Sequence, residues 1–231
     1  MKRFFGKIIA AILGIALISC NVDEGGYSIT NMWVSFGIFQ EDENANLGYS
    51  IKLDNNDLII PMSSDIYLGQ YDDSSRVIVN YTVLGDISDT LDYNQYYVKI
   101  NSMRDILKKG ILDITPAIED SIGNDPIIVK DAWLSGNLLT FELKYWGDHK
   151  VHYINLIKQP GELLLDNEPI ALELRHNDNG DSHHLPYVAY VSFDLLALKI
   201  KGADSTRFTV TATDYSDEIY SEDGVYIYGD N

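Results

Sequence analysis

From Trp33 onward the chain is dominated by period-two alternation. Val34, Phe36 and Ile38 are interleaved with Trp33, Ser35 and Gly37, and Val77, Val79, Tyr81 and Val83 with Ile78, Asn80, Thr82 and Leu84. Leu139, Phe141, Leu143 and Tyr145 are separated by Thr140, Glu142 and Lys144, the pattern of a strand with one face buried and one solvated. Ile170, Leu172 and Leu174 repeat it, and Phe208, Val210 and Ala212 face away from a ladder of Thr209, Thr211 and Thr213. Turn residues fall between the runs: Asn55-Asn56, Ser135-Gly136-Asn137, Gly147-Asp148 and Asn179-Gly180. Helical spacing is scarce. Ser102 to Lys109 reads as two turns with Ser102 as cap, and Asp194 to Leu198 as one more. Short strands at regular spacing predict an all-β chain of barrels or sandwiches.

The alternation breaks once at length. Between Thr115-Pro116 and Asp125-Pro126 lie two prolines, three acids and Gly123-Asn124. This predicts a linker over 115–125 between one unit at 31–114 and another at 126–231, both of ordinary domain size.

The N-terminus follows another pattern. Lys2, Arg3 and Lys7 precede Ile8 to Ile18, an almost wholly apolar run of 11 residues. A membrane-spanning helix needs about 20, so the run reads as the core of a secretory signal peptide over residues 1–19. Leu17-Ile18-Ser19-Cys20 resembles the bacterial lipobox, in which the cysteine is lipidated and becomes the mature N-terminus. Cys20 is the only cysteine of the chain. Several acyl chains on one residue anchor stably where a single chain does not. Residues 20–30 then form a polar, glycine-containing tether. Its pair Asp23-Glu24 resembles the surface-export signal of Bacteroidetes lipoproteins, so the expected location is the cell envelope, at the outer membrane and exposed on its surface.

Composition narrows the partners. Lys and Arg number 17 against 35 Asp and Glu, for a formal charge of −18. Removing residues 1–19, which carry three bases and no acid, takes it to −21. Nucleic-acid binding rests on neutralising phosphates, so this balance excludes it and suits a basic protein partner. An aromatic content of 11% is too high for a disordered acidic chain. One cysteine excludes an internal disulfide and any multi-cysteine metal site.

Candidate chemistry is sparse. The stretch from Arg175 to His184 gathers His176, Asp178, Asp181, His183 and His184, side chains able to ligate a metal, but without EF-hand or zinc spacing. The reading that prevails is a hairpin around Asn179-Gly180 flanked by solvated polar residues. No nucleophile elbow, His-Glu-x-x-His motif or phosphate loop occurs, so neither an enzyme nor a cofactor is expected. Tyr67, Tyr71, Tyr93, Tyr96 and Tyr97 cluster in the first unit, and tyrosines recur at binding surfaces.

Several stretches resemble the NigD-like lipoproteins of Bacteroidetes. They are Asp120-Ser121-Ile122-Gly123-Asn124-Asp125-Pro126-Ile127, His152-Tyr153-Ile154-Asn155-Leu156, Leu172-Glu173-Leu174-Arg175-His176-Asn177 and Val191-Ser192-Phe193-Asp194-Leu195. In the first half Arg76-Val77-Ile78-Val79-Asn80-Tyr81 and Tyr97-Val98-Lys99-Ile100 are also similar to it, although Ser74-Ser75 stands where the family often has Gly-Gln. The resemblance implies an N-terminal OB-like five-stranded barrel followed by a C-terminal β-sandwich. The family is named after a protein assigned to bacteriocin immunity, so the expected function is that of a non-catalytic binding module with an immunity-like role. OB-folds also bind oligosaccharides, which makes a surface glycan-binding or adhesive lipoprotein, using the tyrosines, the alternative.

Overall fold

The computed structural model describes residues 27–66, 70–87, 93–163, 168–216 and 218–229. The expected signal segment, Cys20, the first part of the tether and Tyr67 lie outside them. Five strands close into a barrel: β1 (Trp33–Glu41), β2 (Tyr49–Leu53), β3 (Leu58–Ser64), β4 (Arg76–Asp86) and β5 (Gln95–Asp105), in the order β1-β2-β3-β5-β4. Strands β3 and β5 run parallel and the other pairs antiparallel. Phe39, Ile51, Ile59, Val77, Val79, Val98 and Ile100 fill the interior. Gly37 lets β1 and β2 close tightly, since a Cβ there would meet Ile51 and the Lys52 carbonyl at 2.7 Å.

The helix expected over Ser102–Lys109 is absent. Those residues finish β5 and form β6 (Leu107–Gly110). The buried positions Val98, Ile100, Met103 and Ile106 widen from spacing two to three, first because a bulge at Asn101 shifts the register against β4 and then because β5 ends at Asp105 and β6 begins at Leu107. One inserted residue and a strand break thus give a helix-like period. The Asn101 amide donates to Asn80 at 2.9 Å and Thr82 at 3.1 Å, fixing the bulge.

The chain then enters the sandwich directly. β6 pairs with β12 (Leu185–Asp194), and β7 (Leu112–Asp113) pairs with β10 (Tyr153–Lys158) in the opposite sheet. Residues 107–113, expected in the first unit, therefore belong to the second. One sheet has the order β6-β12-β9-β8, with β8 (Ile128–Ser135) and β9 (Leu138–Gly147). The other runs β14-β13-β11-β10-β7, with β11 (Ile170–Asn177), β13 (Ser205–Thr213) and β14 (Ile219–Ile227). Phe141, Leu143, Val191 and Phe193 meet Leu156, Leu172, Leu174 and Val210 between the sheets. Leu195–Leu198 makes the expected single turn, with the Asp194 carboxylate accepting from the Leu196 N–H.

The segment 115–125 is not a loose connection. It contains α1 (Glu119–Ile122), and Ile114, Ile118 and Ile122 pack against Ile157. Ile118 and Ile122, four apart, share one face of the turn, and Ile114 reaches Ile157 from the end of β7, an arrangement that the surrounding prolines and acids obscure in the sequence.

Barrel and sandwich meet around Arg76, whose side chain is wholly buried. Its guanidinium donates through Nη1 and Nη2 to the two Asp54 carboxylate oxygens, through Nη2 to Thr140 at 3.0 Å and through Nε to Ser192 at 3.1 Å. The Thr140 and Ser192 hydroxyls are linked at 2.7 Å. Trp133 Nε1 donates to Asp54 at 2.8 Å, and Phe36 sits edge-on to Trp133 and Tyr190. Burial alone would raise the Asp54 carboxyl, but Arg76, Trp133 and Ser135 hold it below its usual value. Asp54 therefore contributes stability above about pH 4 that is lost as pH falls through its lowered folded value. Removing one partner of a buried pair strands the other. Asp54→Ala should cost about 3–5 kcal/mol in urea denaturation at pH 7, and Asp54→Ala/Arg76→Met should recover much of it. A loss within experimental error in the single variant would contradict this account of the junction.

Candidate functional site

The polar stretch after β11 is a crossover between the two sheets rather than a hairpin, since β11 and β12 lie in opposite sheets. The tight turn itself forms where expected, with Asn179 at φ 57° and Gly180 at φ 63°. The five candidate ligands do not converge. His176 and Asp181 are buried and joined through His152, which precedes β10: His152 Nδ1 lies 2.8 Å from His176 Nε2, and His152 Nε2 lies 3.3 Å from the Asp181 carboxylate. His183 pairs with Asp178 at 2.8 Å, and His184 approaches Asp148 at 3.5 Å on the surface. Among the described residues no group of three or more His, Cys, Asp or Glu is placed to hold a metal ion.

The Pro126 carbonyl, 3.0 Å from His176 Nδ1, can only accept, so a neutral His176 donates there and presents Nε2 as an acceptor towards His152 Nδ1. Tyr145 covers both imidazoles, with centroids 4.7 and 5.2 Å away, and Tyr187 stacks on Tyr145. Burial would raise the Asp181 carboxyl, but the backbone N–H groups of Asp148, Ser182 and Lys150, with His152, hold it well below the carboxylate range. The arrangement resembles a proton relay, yet its nitrogens face one another, a carbonyl and a buried carboxylate. It pins the crossover loop to β10, β11 and the Pro126 segment. Sequence spacing brings His176 and Asp181 near each other and marks His152, between Val151 and Tyr153, as a cross-strand structural residue, but does not tie it to a partner 24 positions later.

Burial pushes the His176 imidazole below its usual value, outweighing the Pro126 carbonyl. A base lowered on folding contributes stability that is complete above its unfolded value, about 6.5, and is lost as pH falls towards the folded one. The urea midpoint should therefore drop between pH 7.5 and 5, and His176→Gln should flatten that dependence. A wild-type midpoint constant across this range would contradict the assignment.

The tyrosines do not form one platform either. Tyr71 is in the barrel core and donates to the Met103 carbonyl at 2.7 Å. Tyr96 meets Tyr27 edge-on at 6.4 Å, and Tyr97 is exposed on β5. Tyr93 borders an open cleft of about 440 Å³ with Lys52, Glu41, Asp42 and Asp73, and the Lys52 ammonium sits 3.9 Å above its ring. Asp73 accepts the Glu41 N–H and the Ser74 hydroxyl, both at 3.0 Å, and the Glu41 bond is the main reason its carboxyl lies below the usual value. Lys108 of β6 donates to the Ser74 carbonyl at 2.6 Å, so the sandwich braces one lip. Three acids against Lys52 in the lining and Lys108 at the lip leave the cleft net negative and suited to a cationic group. The sequence shows each acid but not their convergence, because Asp73 arrives from the loop before β4.

The comparisons agree with this architecture. The NigD-like N-terminal OB domain matches residues 40–106, and the NigD-like C-terminal beta sandwich domain matches residues 110–223. A provisionally toxin-related protein from Parabacteroides distasonis superposes with a TM-score of 0.70 at 24% identity, over 85% of this chain and 94% of that one. A NigD-like immunity protein from Bacteroides caccae gives 0.60 at 17%, over 87% and 98%. A candidate lipoprotein from Bacteroides fragilis gives 0.61 at 9%, over 87% and 100%. At these identities the solved structures speak for the fold alone. No curated protein matches the chain. With both domains matched in order across barrel and sandwich, the chain belongs to the NigD-like family.

Proposed function

We propose that this chain is a lipid-anchored envelope protein that binds a basic protein through the barrel, without catalysis, in an immunity-like role. The observation that carries the reading is the cleft where Glu41, Asp42 and Asp73 converge around Tyr93. Carboxylates on a rigid lip, within a strongly acidic chain, attract and orient a cationic partner at long range. The immunity protein of Bacteroides caccae lends the role its direction by analogy only. The signal-like segment ending at Cys20 and the candidate lipoprotein of Bacteroides fragilis support anchoring. No helix among the described residues is long and apolar enough to cross a membrane. The glycan alternative is weakened because the tyrosines do not form a platform: the Tyr93 ring already carries Lys52, Tyr71 is buried and Tyr96 meets Tyr27, which leaves Tyr97 exposed by itself among the described ones.

The test immobilises the mature chain, offers it cation-exchange fractions of secreted bacterial proteins, and follows association of the retained protein. The screening length shrinks from about 30 Å at 0.01 M salt to about 3 Å at 1 M. The on-rate should fall steeply over that range, and about tenfold at low salt in Glu41→Gln/Asp42→Asn/Asp73→Asn. An on-rate insensitive to both would contradict the reading.

A further inference from the structure

The end of the tether and the start of β1 form an unusual surface. Tyr27 to Val34 carry no formal charge, and Ile29, Met32, Trp33 and Val34 are 79, 65, 53 and 60% exposed. Such concentrated exposure of large apolar side chains marks a contact surface rather than ordinary scatter. Val225, by contrast, stands opposite Arg207 and near Asp223. At the start of β1 Trp33 and Val34 point to opposite faces, so the exposed surface is the end of the strand, where Trp33 pairs with the buried Tyr81; Leu84, further along the strand of Tyr81, is 45% exposed. The Tyr27 hydroxyl donates to Asp86 and its ring meets Tyr96, so the segment is held against the end of β4.

Position says what covers this surface. Seven residue steps separate Cys20 from Tyr27, and a fully extended chain spans at most about 3.6 Å per step, roughly 25 Å. A bilayer holding Cys20 therefore lies within reach of Ile29, Met32, Trp33 and Val34. Tryptophan beside aliphatic side chains, free of charge, is the composition that partitions into the headgroup boundary. The acidic lip of the cleft at Glu41 lies at the opposite end of β1, eight residues from Trp33 or about 26 Å along the strand, so its carboxylates would stand away from a negatively charged surface, while the Tyr93 side of the cleft returns towards Tyr96 and Tyr27.

We propose that Ile29, Met32, Trp33, Val34 and Leu84 form a membrane-contact surface that seats the barrel on a phospholipid bilayer with the acidic lip of the cleft directed outward. The inference rests on the anchoring reading, and the experiment separates the two. The mature chain, with Cys20 as its single thiol, is coupled to a maleimide-headgroup lipid in phosphatidylcholine vesicles, which imposes the anchor chemically whatever happens in the cell. Emission quenching by dibrominated phosphatidylcholine then reports contact. Trp33 is one of three tryptophans, and Trp133 and Trp146 are engaged with Asp54 and Tyr215. Quenching should approach one third of the emission in the parent, vanish in Trp33→Phe and fall at least twofold in Met32→Ser/Val34→Ser, with unchanged circular dichroism. It should survive about 1 M salt, because the contact is apolar. No quenching in the parent, or equal quenching in Trp33→Phe, overturns the proposal. So does concentration-dependent dimerisation of the uncoupled chain that Trp33→Phe abolishes, which would assign the patch to a second copy. Separately, Cys20→Ala in cells should leave the membrane fraction; if it stays, the anchoring reading fails while the vesicle result still decides the patch.

Discussion

The fold turns on one buried guanidinium. Arg76 leaves the barrel at the start of β4 and uses its fork on Asp54 of the barrel and on Thr140 and Ser192 of the sandwich. A charge removed from water is tolerated only when its donors are matched, and here an ionised carboxylate and two hydroxyls match them. Asp54 is satisfied in turn from across the junction by Trp133 and Ser135. Neither domain holds the complete set, so neither can bury Arg76 alone.

The connection reinforces this constraint. Ile106 donates its N–H to the Arg76 carbonyl at 2.8 Å, and the next seven residues divide between the two sandwich sheets. With almost no free chain between the units and a matched ion pair where they touch, barrel and sandwich have little freedom to reorient. The lip of the cleft is braced by Lys108 from the sandwich for the same reason. A rigid pair fixes the direction in which the cleft points relative to the N-terminal edge.

Much of this was legible in the sequence, and the gaps have physical causes. Strands such as Phe208–Thr213 announce themselves by alternating apolar and polar faces, and Leu139–Tyr145 does the same, although Thr140 on its polar face is buried against Arg76 rather than wet. The end of β5 does not announce itself, since its bulge at Asn101 and the break before β6 imitate a helical period. The packed segment after Ile114 reads as a linker because the prolines and acids are visible while the isoleucine face is not. The histidine candidates were legible as residue types only: His152 completes the buried chain from another strand, and three-dimensional neighbours 24 positions apart leave no local trace. The resemblance to NigD-like proteins supplied the barrel and sandwich, whereas the Arg76 junction has no local signature, because Arg76 and Ser192 are 116 positions apart.

The central claim is that the two domains behave as one unit locked through Arg76. Native-state hydrogen exchange measured across low urea concentrations tests it most directly, because it reports the opening free energy of each strand separately. Amides of β4 in the barrel and of β9 and β12 in the sandwich should converge on a single opening free energy with the same urea dependence. Exchange of β4 through an opening that leaves β9 and β12 protected would show a barrel that unfolds on its own, and would contradict the account.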